Sequence, residues 1–283
     1  MEPAVQAVAE LADPITKAQR ASELLADHQA AVVELSRVRR EAVEQMLERG
    51  MSQSDVGKLI GMSRSRVGQL LKQGPRPERA FLGRGKLTVA LGMKTEAAKD
   101  SGKAGPVVAI EDLAAFEALS ELARTVQLDA ESELIKPPGL VDLNRDNLVV
   151  ICGPRLSPLV AQILASDPHV AFGNDDDDGW YLEDRTAGKT FRSPSDAGTP
   201  GDFAYLGRLP RPDAKGSFLY IAGIHAVGAA GVAHFLDHHM ADAYKQVKTQ
   251  RFSCIVECRY DPETGKVTES NRVTPFYRPE VTA

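Results

Sequence analysis

Two glycine-containing segments bring together residue types that bind anionic ligands. The segment Gly153-Pro154-Arg155-Leu156-Ser157 offers a glycine for close backbone approach, a guanidinium and a hydroxyl. The segment at 222–231 reads AGIHAVGAAG. Each segment follows an apolar, β-rich run and precedes a helical one, and ligands of open α/β sheets bind at such turns, near helix N-termini. The predicted ligand-binding residues are Gly153, Pro154, Arg155, Ser157, Gly223, His225 and Gly228.

The glycine spacing of the second segment limits the identity of the ligand. It is G-x4-G-x2-G rather than the dinucleotide fingerprint G-x-G-x-x-G, and the lysine of a P-loop is absent. The sequence therefore assigns neither NAD nor ATP, and we expect no resident cofactor. Small residues at these positions equally suit a helix that packs tightly on a sheet, and both interpretations can hold together.

Four further residues are weaker candidates for ligand contacts. Lys94 and Glu96 follow the first apolar run of this region, where a ligand-facing loop would begin. Tyr205 and Arg208 lie in YLGRLP, shortly before the apolar run FLYIA. For each of these residues a surface role explains the sequence equally well.

Catalytic and metal-binding signatures are weak. His225 begins a helix beside the predicted site, where it would bind a ligand or act as a base. His234 and His238 have a spacing that allows a shared metal ion, but no third ligand is evident, so we interpret them as a solvated helix face. The chain has no G-x-S-x-G and no H-E-x-x-H. We therefore assign no catalytic residue and no metal site, and a binding protein is favoured over an enzyme.

A different chemistry is predicted for residues 53–72, which begin QSDVGKLIGMSRSRVGQLL. Gln53 to Ile60 would form one helix, and Arg64 to Lys72 a second helix capped by Ser63. Gly57 is the small residue needed where the helices approach, and Gly61 supplies the left-handed corner. These offsets are typical of a helix-turn-helix, in which the second helix reads the major groove. An ordinary helical hairpin is the alternative.

The outward side chains of this segment suit nucleic acid. Arg64, Ser65 and Gln69 would contact base edges, whereas Arg66 and Lys72 would hold phosphates. From residue 37 to residue 86 the chain has twelve Lys or Arg against five Asp or Glu, a net +7, although the whole chain carries −5. Such a basic segment in an acidic protein concentrates phosphate attraction there. The predicted DNA-binding residues are Gln53, Ser63, Arg64, Ser65, Arg66, Gln69 and Lys72.

The predicted helices and strands that carry the ligand-binding and the DNA-binding residues indicate two domains. Residues 1–73 are helical, including a long amphipathic stretch from Thr16 to Gly50, and residues 74–85 (GPRPERAFLGRG) read as a connector. Residues 86–283 alternate between apolar strand-like and helical segments. The predicted fold class is therefore α + α/β, with a helix-turn-helix domain joined to a Rossmann-like sheet. The short β-like pieces between 170 and 210 would form a β-rich antiparallel insertion or an extension of the sheet.

The composition of the chain and its apolar pattern predict the compartment and the oligomeric state of the protein. No apolar run approaches the roughly 20 residues that span a bilayer, and the N-terminus lacks the features of a signal peptide. Three cysteines within apolar runs are typical of a reducing compartment, so we expect a cytoplasmic protein. The long helix has more apolar surface than two short helices can cover, which favours a homodimer. Two copies would also bind two DNA half-sites.

The chain also resembles a known group of proteins. The segments RVRREAVEQMLERGMSQSDVGKLIGMSRSRVGQLL, NRDNLVVICGPRLSP, GDFAYLGRLPRP and FLYIAGIHAVGAAGVAHFL carry the resemblance, as does PERAFLG. They are similar to actinobacterial transcription regulators that join a helix-turn-helix like region 4 of sigma factors to a C-terminal Rossmann-like domain of uncertain ligand. The resemblance covers most of residues 30 to 278 and implies a regulator rather than a metabolic enzyme.

Three functional hypotheses follow from the sequence. The first is a sequence-specific regulator that binds double-stranded DNA and senses a small, nucleotide-like effector through its α/β domain. The second is a nucleotide-processing enzyme, a hydrolase or glycosidase, that its helical end localises to DNA. The third is a regulator whose C-terminal domain binds a protein partner such as RNA polymerase.

Overall fold

The computed structural model describes residues 3–72, 77–96, 105–175 and 179–279. It divides into two compact units, residues 1–75 and 76–283, the first helical and the second built on a mixed sheet. The fold is α+β in these ranges.

Among the described residues, no helix is both long enough and apolar enough to cross a membrane.

The first unit consists of helices whose ends are fixed by local chemistry. The helices are α1 (Pro3–Ala9), α2 (Pro14–Glu48), α3 (Gln53–Leu59) and α4 (Arg64–Lys72). Asp13 caps α2 by accepting a 2.8 Å hydrogen bond at Oδ2 from the backbone N–H of Thr16. Just past the end of this helix, Gly50 has a φ of +89°, which a glycine adopts without strain.

A small apolar core joins the end of α2 to α3 and α4. Val43, Val56 and Val67, one from each helix, are fully buried together. Gly57 allows the close approach of the turn, because a methyl group there would lie 2.5 Å from the backbone oxygen of Met62. Farther toward the N-terminus of α2, Leu25 and Leu35 are 61% and 67% exposed.

The second unit contains three helices and twelve strands within its described residues. In chain order they are β1 (Leu87–Gly92), β2 (Lys94–Thr95), β3 (Pro106–Val107), α5 (Ile110–Thr125), β4 (Ala130–Ile135), β5 (Leu148–Ile151), α6 (Pro158–Leu164), β6 (Val170–Asp175), β7 (Gly179–Asp184), β8 (Lys189–Arg192), β9 (Gly201–Pro210), β10 (Ser217–Gly223), α7 (Val227–Val247), β11 (Phe252–Tyr260) and β12 (Val267–Arg272).

The main sheet has seven strands in the order β12-β11-β9-β10-β5-β1-β4. Strands β4, β1, β5 and β10 are parallel, whereas β9, β11 and β12 add antiparallel pairs. From β1 the chain passes through α5 to β4 on one side, and β5 then returns to the other side of β1. The connections thus diverge between β1 and β5, which makes their carboxyl ends a topological switch point.

Both faces of the sheet are covered at the central parallel strands β1, β5 and β10, whose side chains are mostly buried. On one face Val89 and Val149 pack with Leu119 of α5 and Val232 of α7. On the other face the side chain of Val150 lies in the core formed by α6 and the separate three-stranded sheet β6-β7-β8.

Residues 203–206 belong to the ten-residue strand β9 of the main sheet, so this piece extends the sheet, which was one of the two expected arrangements. Burial on both faces of this strand removes the alternating pattern. Within the predicted connector at 74–85, the described residues from 77 onward belong to the second unit. Phe81 is fully buried, and its ring centroid lies 5.5 Å from that of Phe252. Residues 73–76 lie outside the described residues.

Candidate functional site

An open cleft of about 510 Å³ lies at the switch point of the main sheet. Its floor is formed where β5 and β10 end, at Ile151 and Gly223. Lys94 of β2 and the rings of Phe172 and Trp180 also line the cleft. The cleft brings together Lys94, Gly153, Pro154, Arg155, Gly223 and His225 from the predicted set.

The turn after β5 contributes its first four residues to the cleft but not its serine. Residues Pro154–Leu156 form one turn of 3-10 helix, which leaves Arg155 exposed at the cleft. Ser157 is fully buried, where its Oγ donates a 2.7 Å hydrogen bond to the carbonyl of Gly139 and caps α6. The prediction of Ser157 as a ligand contact is therefore corrected, because its hydroxyl is used inside the fold.

The glycines of the second segment mainly permit close packing. Oδ2 of the fully buried Asp202 accepts a 2.8 Å hydrogen bond from the backbone N–H of His225. A methyl group on Gly228 would lie 2.5 Å from this oxygen, and one on Gly223 would lie 2.9 Å from it. Gly231 similarly faces the side chain of Cys258. Gly223 lines the cleft as predicted, whereas Gly228 packs beneath it and does not belong to the lining.

His225 is held at the edge of the cleft by an acidic partner. Its Nε2 lies 2.7 Å from Oδ1 of Asp196, a residue of the turn between β8 and β9, and both side chains are about half exposed. A carboxylate in this position favours a proton on Nε2 and leaves Nδ1 as a proton acceptor. The arrangement can bind a ligand through the ring or accept a proton from one.

Three charged side chains of the cleft have no partner among the described residues. Lys94, Asp112 and Arg155 make neither a hydrogen bond nor an ion pair there. Asp112, in the first turn of α5, is only 8% exposed. Burial raises the pKa of its carboxyl to about 6, an effect that the positive charge of Lys94 reduces. The carboxylate thus loses hydration without gaining a hydrogen bond among the described residues, and the charge of Lys94 offsets only part of that cost.

The thiol in the cleft is chemically quiet. Cys152 lies at the end of β5, and its Sγ donates to the carbonyl of Gly153. Burial raises the pKa of this thiol to about 12, and the nearby charge of Asp112 acts in the same direction. The reactive thiolate is therefore scarce at neutral pH.

Arg208 and Glu96 lie away from the cleft lining. Arg208 pairs in register with Leu219 and Phe252, near the amino ends of β10 and β11, whereas the cleft is at the carboxyl end of β10. Its buried guanidinium donates to the carbonyl of Phe81, and burial lowers its pKa to about 10. Arg208 therefore does not contribute to this cleft; it lines a separate pocket with Asp167 and His169. Glu96 follows β2 outside the described lining of the cleft.

Sequence reasoning missed three residues of the lining, Asp112, Phe172 and Trp180, and also Asp196, the partner of His225. Asp112 offered a usable signal, because it opens the first helix after a β strand, the position at which ligand-facing groups occur. Asp196, Phe172 and Trp180 gave no usable sequence signal, because they lie in the long segment between β5 and β10. Tyr205, also considered, is fully buried and donates to Asp167.

The predicted DNA-contacting residues lie on and around α4 in the first unit. The side chains of Arg64, Ser65, Arg66 and Gln69 are exposed, whereas Gln53 is partly buried. Ser63 caps the helix by accepting at Oγ from the N–H of Arg66, at 3.2 Å. Nη1 of Arg66 also donates to Oε1 of Gln69, 3.2 Å away. The helix ends at Lys72, and this surface offers both cationic and amide groups to a ligand.

No family model, curated protein or solved structure matches the chain.

Proposed function

We propose that the protein is a sequence-specific DNA-binding transcription regulator whose second unit senses a small, nucleotide-like ligand. The observation that carries the DNA-binding part is the pair α3 and α4, which we interpret as a helix-turn-helix. Gly57 permits the close turn, Gly61 has a φ of +67°, and Ser63 caps a helix with exposed arginine and glutamine side chains. These features supply the groups that contact base edges and phosphates.

The sensing part of the proposal rests on the cleft of the second unit, which we interpret as a Rossmann-like domain. It lies at the switch point of the parallel strands, where ligands bind in open α/β sheets. Two cations of the lining, Lys94 and Arg155, favour an anionic ligand. The effector acts by binding one state of the regulator more tightly than another, so DNA must alter effector affinity by the same factor.

A homodimer is part of the proposal. The exposed apolar side chains of α2 include Leu25, Val32 and Leu35, which recur at intervals of seven and three residues. Such spacing places them along one side of a helix, as in a coiled-coil seam. A second copy of the same helix would cover them and would bring two α4 helices to two half-sites.

The test of DNA binding is a selection of binding sequences from a random DNA library with the full-length protein. Arg64→Ala should weaken binding to the selected site by roughly 1–3 kcal/mol. The matched control is Arg20→Ala, which removes an exposed arginine of α2 outside the basic segment. Selection of no sequence, or equal affinity of the Arg64 variant and the parent, would disprove the assignment.

A second candidate function is enzymatic, and the pair formed by His225 and Asp196 favours it. An imidazole oriented by a carboxylate in a ligand cleft is the usual arrangement of a general base. Incubation of the protein with nucleotides and NAD, followed by mass spectrometry, tests for turnover. Consumption of a compound by the parent but not by His225→Asn would favour the enzyme, whereas stable binding without turnover favours the regulator.

A further inference from the structure

The unpaired charges of the cleft have both signs, which restricts the chemistry of the ligand. Lys94 and Arg155 are cations and the buried Asp112 is an acid, and none of the three makes a hydrogen bond or a close ion pair with the described residues, although the charge of Lys94 acts on Asp112. A site for an anion alone needs no buried carboxylate, because the carboxylate repels the anion. The cleft therefore suits a ligand with both an anionic group and hydrogen-bond donors.

The aromatic part of the lining adds a third requirement. Phe172 and Trp180, from β6 and β7, are partly buried in the cleft with ring centroids 6.5 Å apart and an interplanar angle of 68°. Aromatic rings in a ligand cleft offer apolar contact and stacking to a flat ring system. Inorganic phosphate and simple sugar phosphates have no such ring.

We propose that the cleft binds a nucleoside monophosphate, with Asp112 accepting hydrogen bonds from the sugar hydroxyl groups and Arg155 and Lys94 holding the phosphate. The base contacts Phe172 and Trp180. This inference deepens the sensing part of the proposed function and rests on it. The first turn of the 21-residue helix α7, which borders the cleft, adds its positive dipole end near the anion.

Each contact predicts a different consequence when it is removed. Hydrogen bonds to a charged acceptor stabilise a complex by about 1.5–3 kcal/mol, so loss of the Asp112 contact corresponds to a decrease of about tenfold or more in affinity. Asp112→Asn should weaken binding only of ligands that carry the sugar hydroxyls. Arg155→Ala should weaken binding only of ligands that carry the phosphate.

The experiment is isothermal titration of the full-length protein, without DNA, with four probes. They are AMP, 2′,3′-dideoxy-AMP, ribose 5-phosphate and inorganic phosphate. The parent should bind AMP most tightly, and Asp112→Asn should bind AMP at least about tenfold more weakly while its affinity for dideoxy-AMP does not fall, because the variant loses the hydroxyl contact but no longer repels the phosphate. The matched control is Asp129→Asn, which changes an exposed acid at the amino end of β4.

Several outcomes would overturn the inference. Equal AMP affinity of Asp112→Asn and the parent would show that the carboxylate does not contact the ligand. Equal affinity for ribose 5-phosphate and AMP would indicate a sugar-phosphate site, and binding of none of the probes would exclude a nucleoside monophosphate site. DNA binding in the selection experiment is measured without these probes, so its failure would be recognised separately.

Discussion

The backbone N–H of His225 donates a 2.8 Å hydrogen bond to the buried carboxylate of Asp202. This bond ties the start of α7, which borders the cleft, to the strand β9 of the main sheet. Burial raises the pKa of the Asp202 carboxyl to about 6, and the N–H of His225 opposes that effect. The geometry requires space around Oδ2, which Gly223 and Gly228 provide.

Gly228→Ala should destabilise the second unit by about 1–3 kcal/mol, because its methyl group would lie 2.5 Å from Oδ2 of Asp202 and 2.7 Å from the Cα of Gly223. Urea denaturation followed by the fluorescence of Trp180, the single tryptophan, measures the loss. The control is Gly153→Ala, at a glycine with a φ of −63°, where an added methyl group would have no atom within 4 Å. Equal stability of the two variants would contradict this explanation of the glycine spacing.

The part of the fold that follows from local patterns could be predicted from the sequence. The apolar runs at 148–152 and 218–222 predict strands, and the structure has β5 and β10 there. Strand β9 was harder, because a strand buried on both faces between two partners loses the alternation that marks a strand. Its neighbours in the sheet follow it in the chain, so no local pattern indicates its central position.

Only part of the candidate site could be predicted from the sequence, because some of its residues come together only through the course of the folded chain. Glycine, arginine and histidine directly after apolar runs mark the strand ends, and Gly153, Arg155 and His225 line the cleft. Asp196 lies 29 residues before its partner His225, and the pairing depends on the course of the chain from β8 to β10. Arg208 is the reverse case, a predicted residue that does not line the cleft. Its strand β9 runs antiparallel to β10, so Arg208 lies at the amino end of β10, away from the cleft at the carboxyl end.

Gly57→Ala should destabilise the pair α3 and α4, and Gly68→Ala should stabilise it. The new methyl group at residue 57 would lie 2.5 Å from a backbone oxygen that cannot rotate away, whereas at residue 68 the nearest atom is 3.8 Å away. Alanine is favoured over glycine within a helix by about 0.8–1 kcal/mol. Hydrogen exchange of peptides from 53–71, in the full-length protein, should be faster in the first variant and slower in the second. Slower exchange in both would contradict the close approach at Gly57.

The proposed homodimer predicts that Leu25→Asp combined with Leu35→Asp yields a monomer. Both leucines are more than half exposed on α2, and burial of each against a second copy would contribute about 1.5–3 kcal/mol. Charged side chains at these positions remove that contribution. Sedimentation velocity should show a dimer for the parent and a monomer for the variant. Leu140→Asp is the control, because it changes an exposed leucine of the second unit; a monomeric parent would disprove the prediction.

Asp112→Asn should make the second unit more stable at neutral pH, which is the reverse of the usual effect of changing a buried residue. Burial raises the pKa of this carboxyl from 3.8 to about 6, with an opposing effect of Lys94 and a smaller raising effect of Glu111. Because the folded state holds the proton more tightly, the free energy of unfolding of the parent falls as the pH rises from about 4 to about 6. Above pH 6 the charged carboxylate lowers the free energy of unfolding of the parent by its full amount, which is at most about 3 kcal/mol.

The asparagine variant does not titrate, so its advantage over the parent should be largest above pH 6 and should shrink toward pH 4. Urea denaturation at pH 4.5 and 7.5, followed by the fluorescence of Trp180, measures this difference, with Asp129→Asn as the exposed control. A variant less stable than the parent at pH 7.5 would mean that the carboxylate supports the fold. Greater stability together with weaker AMP binding would mean that the carboxylate costs stability and is used for the ligand.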